Sequence, residues 1–117
     1  MLRTVFILFL SLYAHTSLFA ENMEALYQKD CAMCHELSDP DLIIAPPMQA
    51  IVSVYKKTYP QKEAFVKHVL KYLLSPSLQN SLMGEKTIKQ FGLMISQKGA
   101  MPEKELEALV SYIYDKY

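Results

Sequence analysis

Residues Cys31-Ala32-Met33-Cys34-His35 place both cysteines of the chain three positions apart, with a histidine directly after the second. On a helix running in from Asn22, that spacing sets the two sulfurs on one face about a turn apart, as thioether bonds to the two vinyl groups of a single haem require. His35 then stands ready to give an imidazole nitrogen to the iron. Two other chemistries share the Cys-x-x-Cys spacing. A redox-active disulfide expects a strand before the motif within a βαβ unit, and no strand pattern is found. Zinc takes four ligands; Cys31, Cys34 and His35 supply three at most, leaving His68 or a carboxylate to complete a spacing that matches no common zinc pattern. The motif therefore reads as haem attachment, with zinc or disulfide modules as the lesser alternatives.

The N-terminus points to an oxidising compartment. A basic start at Arg3, an apolar stretch from Val5 to Tyr13 and a more polar approach through His15, Thr16 and Ser17 to Ala20 have the layout of an export signal. The apolar stretch falls short of the roughly 20 residues that span a bilayer, so residues 1–20 are expected to be a cleaved signal peptide, with an uncleaved anchor as the alternative. Residues 21–117 then form the exported domain, periplasmic or otherwise outside the cytosol, with membrane contact only if the leader is retained.

The chain is 117 residues long, 51% hydrophobic and 21% charged, with no net charge. That leaves room for one small domain and excludes a multidomain enzyme. Balanced charge argues against nucleic acid, whose phosphates call for a basic excess. The balance is uneven along the chain: Lys56 to Lys98 holds eight lysines and two acids, between acidic ends. Such a distribution fits either solvated helix faces or the steering of an acidic redox partner.

Helical patterns account for the rest of the domain. Met23 to Cys34 leads into the motif, and an acidic, proline-rich loop follows from Glu36 to Pro47. Met48 to Tyr59 puts Ile51, Val52 and Tyr55 at core spacing. Gln61 to Leu74 carries Phe65, Val66, Val69, Leu70 and Leu73 on one stripe, with Glu63 and Lys67 at i,i+4 on the other and Pro76 just past the stop. A short helix from Glu85 to Phe91 ends at Gly92, and the last opens at Pro102 and buries Leu106, Leu109, Val110 and Ile113.

The Cys-Ala-Met-Cys-His motif near the start of the domain, the Pro46-Pro47 turn, late methionines and a C-terminal helix with Leu109 and Tyr112 together resemble the small single-haem class I c-type cytochromes. The resemblance covers nearly all of residues 21–117. It implies an all-α bundle of four to five helices packed around one covalently bound haem c, and a one-electron carrier rather than an enzyme. It also implies a proline carbonyl on the second imidazole nitrogen of His35. Pro46 or Pro47 falls at that place, and Pro47 is the residue assigned to the site. Tyr27 and Tyr112 fall where the first and last helices cross.

A methionine on the far face of the iron raises the reduction potential and closes the metal to small ligands. Met48 and Met83 are read as apolar packing. Met101 in Gly99-Ala100-Met101-Pro102 copies the family's Met-Pro signature, yet it abuts the final helix, where the family keeps a loop. Met94 leaves such a loop and lies 18 positions before Tyr112 against 11 for Met101. The analogy favours Met94 as sixth ligand with Met101 as the alternative, although Ile95 and not proline follows it. An iron with an open sixth position, in a ligand-binding, sensing or peroxidase-like protein, is the other reading. His68, mid-helix among lysines, is read as an edge histidine.

Overall fold

Proline and glycine set most of the helix boundaries in the computed structural model, which describes residues 22–117. The leader and Glu21 lie outside the described residues. Five helices follow one another. The first, α1, is composite: α-helical at 22–27, π-helical at Gln28–Ala32 and α-helical again at Met33–His35. Then come α2 (Met48–Thr58), α3 (Lys62–Leu74), α4 (Gly84–Phe91) and α5 (Glu103–Lys116). Among the described residues there is no strand, only an isolated bridge between Lys98 and Met101. The domain is all-α, as expected.

The expected boundaries hold to within a residue or two, with instructive exceptions. Pro102 is the residue before α5 and not its first: its extended backbone leaves the carbonyl to accept from the N–H groups of Glu105 and Leu106. Gly92 ends α4 at φ 79°, in the region open to glycine at little cost. Lys62 pairs with Asp115 of α5 at 2.6 Å, whereas Glu63 and Lys67 form no ion pair.

The larger correction concerns α1. A regular α-helix following Met23 and Tyr27 would bring residue 30 or 31 to the core next. In the π segment the bonds run from i to i+5, so the buried series reads Met23, Tyr27, Ala32. The extra residue rotates Cys34 and His35 relative to the helix start. It puts the small Ala32 against the core and leaves Cys31 and Cys34 both half-buried.

The core is formed by α1, α2, α3 and α5. Val52 and Tyr55 of α2, Phe65 of α3 and Leu109, Val110 and Ile113 of α5 are buried together, with Met48 at the start of α2; Leu106 of α5 is buried apart from this cluster. Phe65 meets Tyr114 edge-on at 5.1 Å and Tyr55 at 6.2 Å between centroids, which ties α3 to α5 and α2. Ile51, Val66, Val69 and Leu73 are half-buried at its margin. Helix α4 buries no residue fully.

Candidate functional site

The last turn of α1 carries Cys31, Cys34 and His35. His35 Nδ1 lies 2.7 Å from the carbonyl oxygen of Pro46. A carbonyl only accepts, so Nδ1 carries the proton, and the neutral ring keeps its free lone pair on Nε2. The structure corrects the choice between the two prolines: the partner is Pro46, not Pro47. Pro47 precedes α2, and its carbonyl is already taken by the N–H groups of Ala50 and Ile51 at 3.0 and 3.2 Å. Between motif and proline, the loop folds a short 3₁₀ turn at Pro40–Leu42, closed by the Asp39 carboxylate accepting from the N–H of Asp41.

Cys31 and Cys34, both half-buried, are not joined to each other. Burial pushes the Cys31 thiol up to about 11, and the neighbouring Asp30 carboxylate adds to the rise. A disulfide oxidoreductase needs the opposite, a thiolate stabilised near neutral pH. Among the described residues no group of three or more His, Cys, Asp or Glu side chains stands together as a metal cage. A haem fits the donors present: two thiols about one turn apart and an oriented imidazole. Exposed apolar side chains also stand on both segments that carry candidate ligands. Leu42, Ile43 and Ile44 on the loop after the motif are exposed, Ile44 at 61%, as are Leu93 and Ile95 around Met94. Large apolar side chains with that exposure suit a flat apolar macrocycle.

The methionines divide by packing. Met48 is buried in the core, and Met83 and Met101 pack against it. Met94 is half-buried and apart from that cluster. Its backbone N–H donates to the Tyr72 hydroxyl of α3 at 3.2 Å, so the residue is tied to α3 and not to the motif. The ring of His68 stacks flat on Tyr59, with centroids 3.8 Å apart, and plays its expected edge role there.

A polar cluster beside the motif was not apparent in the sequence. Tyr27, fully buried, crosses Tyr112 of the last helix and Tyr117 just beyond it at 6.4 Å each. Its hydroxyl donates to the Glu36 carboxylate at 2.8 Å and lies 2.9 Å from the Tyr117 hydroxyl, which also donates to Glu36. One turn away, Glu24 accepts from Tyr112 and Gln28 and pairs with Lys116 at 3.0 Å. The hydroxyl of Tyr117, ahead of that of Tyr27, holds the Glu36 carboxyl below the usual range. Eight tyrosines in a chain without tryptophan were the available hint, but not their pairing.

The sequence profile of the Cytochrome c family matches residues 20–115. A protein of Aquifex aeolicus (strain VF5) described as uncharacterized is 30% identical over 108 residues, covering 79% of this chain and 71% of that protein. No solved structure matches the chain with significance. With the match running the length of the helical domain, the chain belongs to the Cytochrome c family, a family of haem-based electron transfer, and its cofactor is covalently attached haem c with its iron.

Proposed function

We propose that the chain is an exported, single-haem electron carrier that passes one electron at a time between larger redox proteins and catalyses no reaction of its own. In this reading Cys31 and Cys34 would hold the haem through thioether bonds, His35 Nε2 would bind its iron, and Met94 would be the second protein ligand. The haem supplies ferric–ferrous exchange; the chain supplies ligand orientation, an apolar surround and closure of the metal to small molecules. The observation that carries the reading is the 2.7 Å bond from His35 Nδ1 to the Pro46 carbonyl, which leaves Nε2 free as a metal ligand.

Further features support the finer parts. The layout of residues 1–20 supports export to the periplasm or a similar compartment. Among the described residues no helix is long and apolar enough to cross a membrane. The separation of Met94 from the core favours it over Met101, whose side chain packs against the core. The lysine excess from Lys56 to Lys98 supports an acidic docking face on the partner, with association rates that fall as salt rises.

Intact mass and absorption spectra of the exported protein test this reading. A mass gain of one haem and a low-spin spectrum with a near-infrared sulfur-to-iron band are expected, the band vanishing in Met94→Ala and persisting in Met101→Ala. No mass gain overturns the attachment. A high-spin ferric spectrum with rapid carbon monoxide binding replaces the carrier by a protein with an open sixth position.

A further inference from the structure

The segment between α4 and α5 is held to the end of α3 by bonds that its own residues donate. Helix α3 stops at Leu74, and Pro76 follows with no N–H to give, so the chain turns away and leaves the last carbonyls of the helix without donors from within. Two of those carbonyls are taken from the far segment. The Gln97 N–H donates to the Leu73 oxygen at 2.8 Å, and the Ser96 hydroxyl donates to the Leu74 oxygen at 2.9 Å. Next to them the Tyr72 hydroxyl accepts the Met94 N–H at 3.2 Å. Ser96 Oγ also accepts from the Lys98 N–H at 3.3 Å, so one side chain braces the segment in two directions.

The ends of the segment are shaped for this path. Gly92 and Gly99 have φ of 79° and 81°, and a Cβ at either would meet nothing within 4 Å, so glycine serves the backbone turn and not a close approach. Apolar packing contributes little to the hold, since Leu93 is 48% exposed and Ile95 84%. The segment is fastened by hydrogen bonds to consecutive residues of one helix end.

We infer that Tyr72 and Ser96 are positioning residues for Met94, fixing its backbone so that the thioether stays in place as a metal ligand. This rests on the reading of Met94 as the sixth ligand. A thioether is a weak ligand, and an external base replaces it more readily when the backbone that carries it is loose. Tyr72 and Ser96 act through Met94 alone; neither is assigned a place on the metal.

The test compares the haem-loaded full chain with Tyr72→Phe, Ser96→Ala, Ser96→Thr and Met94→Ala, by imidazole titration and by the near-infrared sulfur-to-iron band. With one net hydrogen bond lost, Tyr72→Phe and Ser96→Ala are each expected to raise imidazole affinity roughly three- to tenfold, and Ser96→Thr, which keeps a hydroxyl, to stay within about twofold of the parent. Unchanged affinity in both Tyr72→Phe and Ser96→Ala overturns the inference, even if their melting temperatures fall, because the bonds are then only structural. Loss of the band in Met94→Ala alongside that result leaves the ligand assignment standing. A band that survives Met94→Ala overturns the assignment and the positioning role together.

Discussion

The two sides of the site are fastened at different distances along the chain. On the histidine side, ring and carbonyl are 11 residues apart, joined through one loop. On the methionine side, Met94 and Ser96 are each held by α3 residues 22 positions earlier, across a whole helix and two loops. Closing the shorter loop costs less chain entropy, and the bond does not depend on docking a separate helix. The methionine side depends on α3 sitting where it does. It is therefore the side expected to open first, in a local fluctuation that leaves the rest folded.

The bluntest way to break this comparison is to remove the attachment. Among the described residues eleven hydrophobic side chains are buried, a small core for one domain. Cys31→Ala with Cys34→Ala is expected to abolish both the haem mass gain and the cooperative thermal transition. A sharp melt of the haem-free double variant would show that both sides assemble without the cofactor.

Undermining α3 comes next. Phe65 is 1% exposed between Tyr55 and Tyr114, and Phe65→Ala is expected to cost about 3 kcal/mol or more in denaturant unfolding. The surviving folded protein should bind imidazole more tightly while the thioether mass is unchanged. If imidazole affinity does not move, the methionine side does not lean on α3 as argued.

Acid probes the crossing of α1 and α5 behind the histidine side. The Tyr112 hydroxyl, then Gln28 and Lys116, hold the Glu24 carboxyl down at about 2. The unfolded value is about 4.3, so the unfolded chain takes the proton first. The contribution is full above that pH and lost as pH falls toward 2. Its side chain is 38% exposed, so solvent screening reduces the effect to about 1 kcal/mol or less. Glu24→Gln should flatten the acid limb of the stability curve in that window, and an unchanged limb would remove Glu24 from the account.

The smallest effect is expected at Pro46. The acceptor for His35 is a backbone oxygen, so Pro46→Ala keeps it and alters mainly the unfolded chain, for about 1 kcal/mol or less. The Nδ1 proton of His35 should stay protected in NMR spectra of the variant. Loss of that protection would mean that the proline ring, and not only its carbonyl, sets the histidine side.

Much of this was written in local pattern. The Cys31-to-His35 spacing points to haem attachment because three donor groups within five residues are brought together by one turn of helix, with no strand pattern or fourth ligand to favour a redox or zinc site. The stripes of α2, α3 and α5 and the stops at Gly92 and Pro76 follow from 3.6-residue periodicity and from the backbone limits of glycine and proline, so helix boundaries were readable almost to the residue.

What the tertiary structure alone decided are choices between near-equivalent residues and contacts between distant ones. Pro46 and Pro47 are alike in sequence; only the start of α2, which takes the Pro47 carbonyl, leaves that of Pro46 for His35. Met94 and Met101 are alike in chemistry; packing puts Met101 against the core and leaves Met94 outside it. The π segment arises because Ala32, five residues beyond Tyr27, is the one buried against the core. The tyrosine–glutamate contacts join residues up to 90 positions apart, and the Lys116–Glu24 pair beside them spans 92. Local sequence determines which groups exist and which helices carry them, while the assignment of each shared donor and acceptor waits on the packing that brings one candidate within reach and occupies the other.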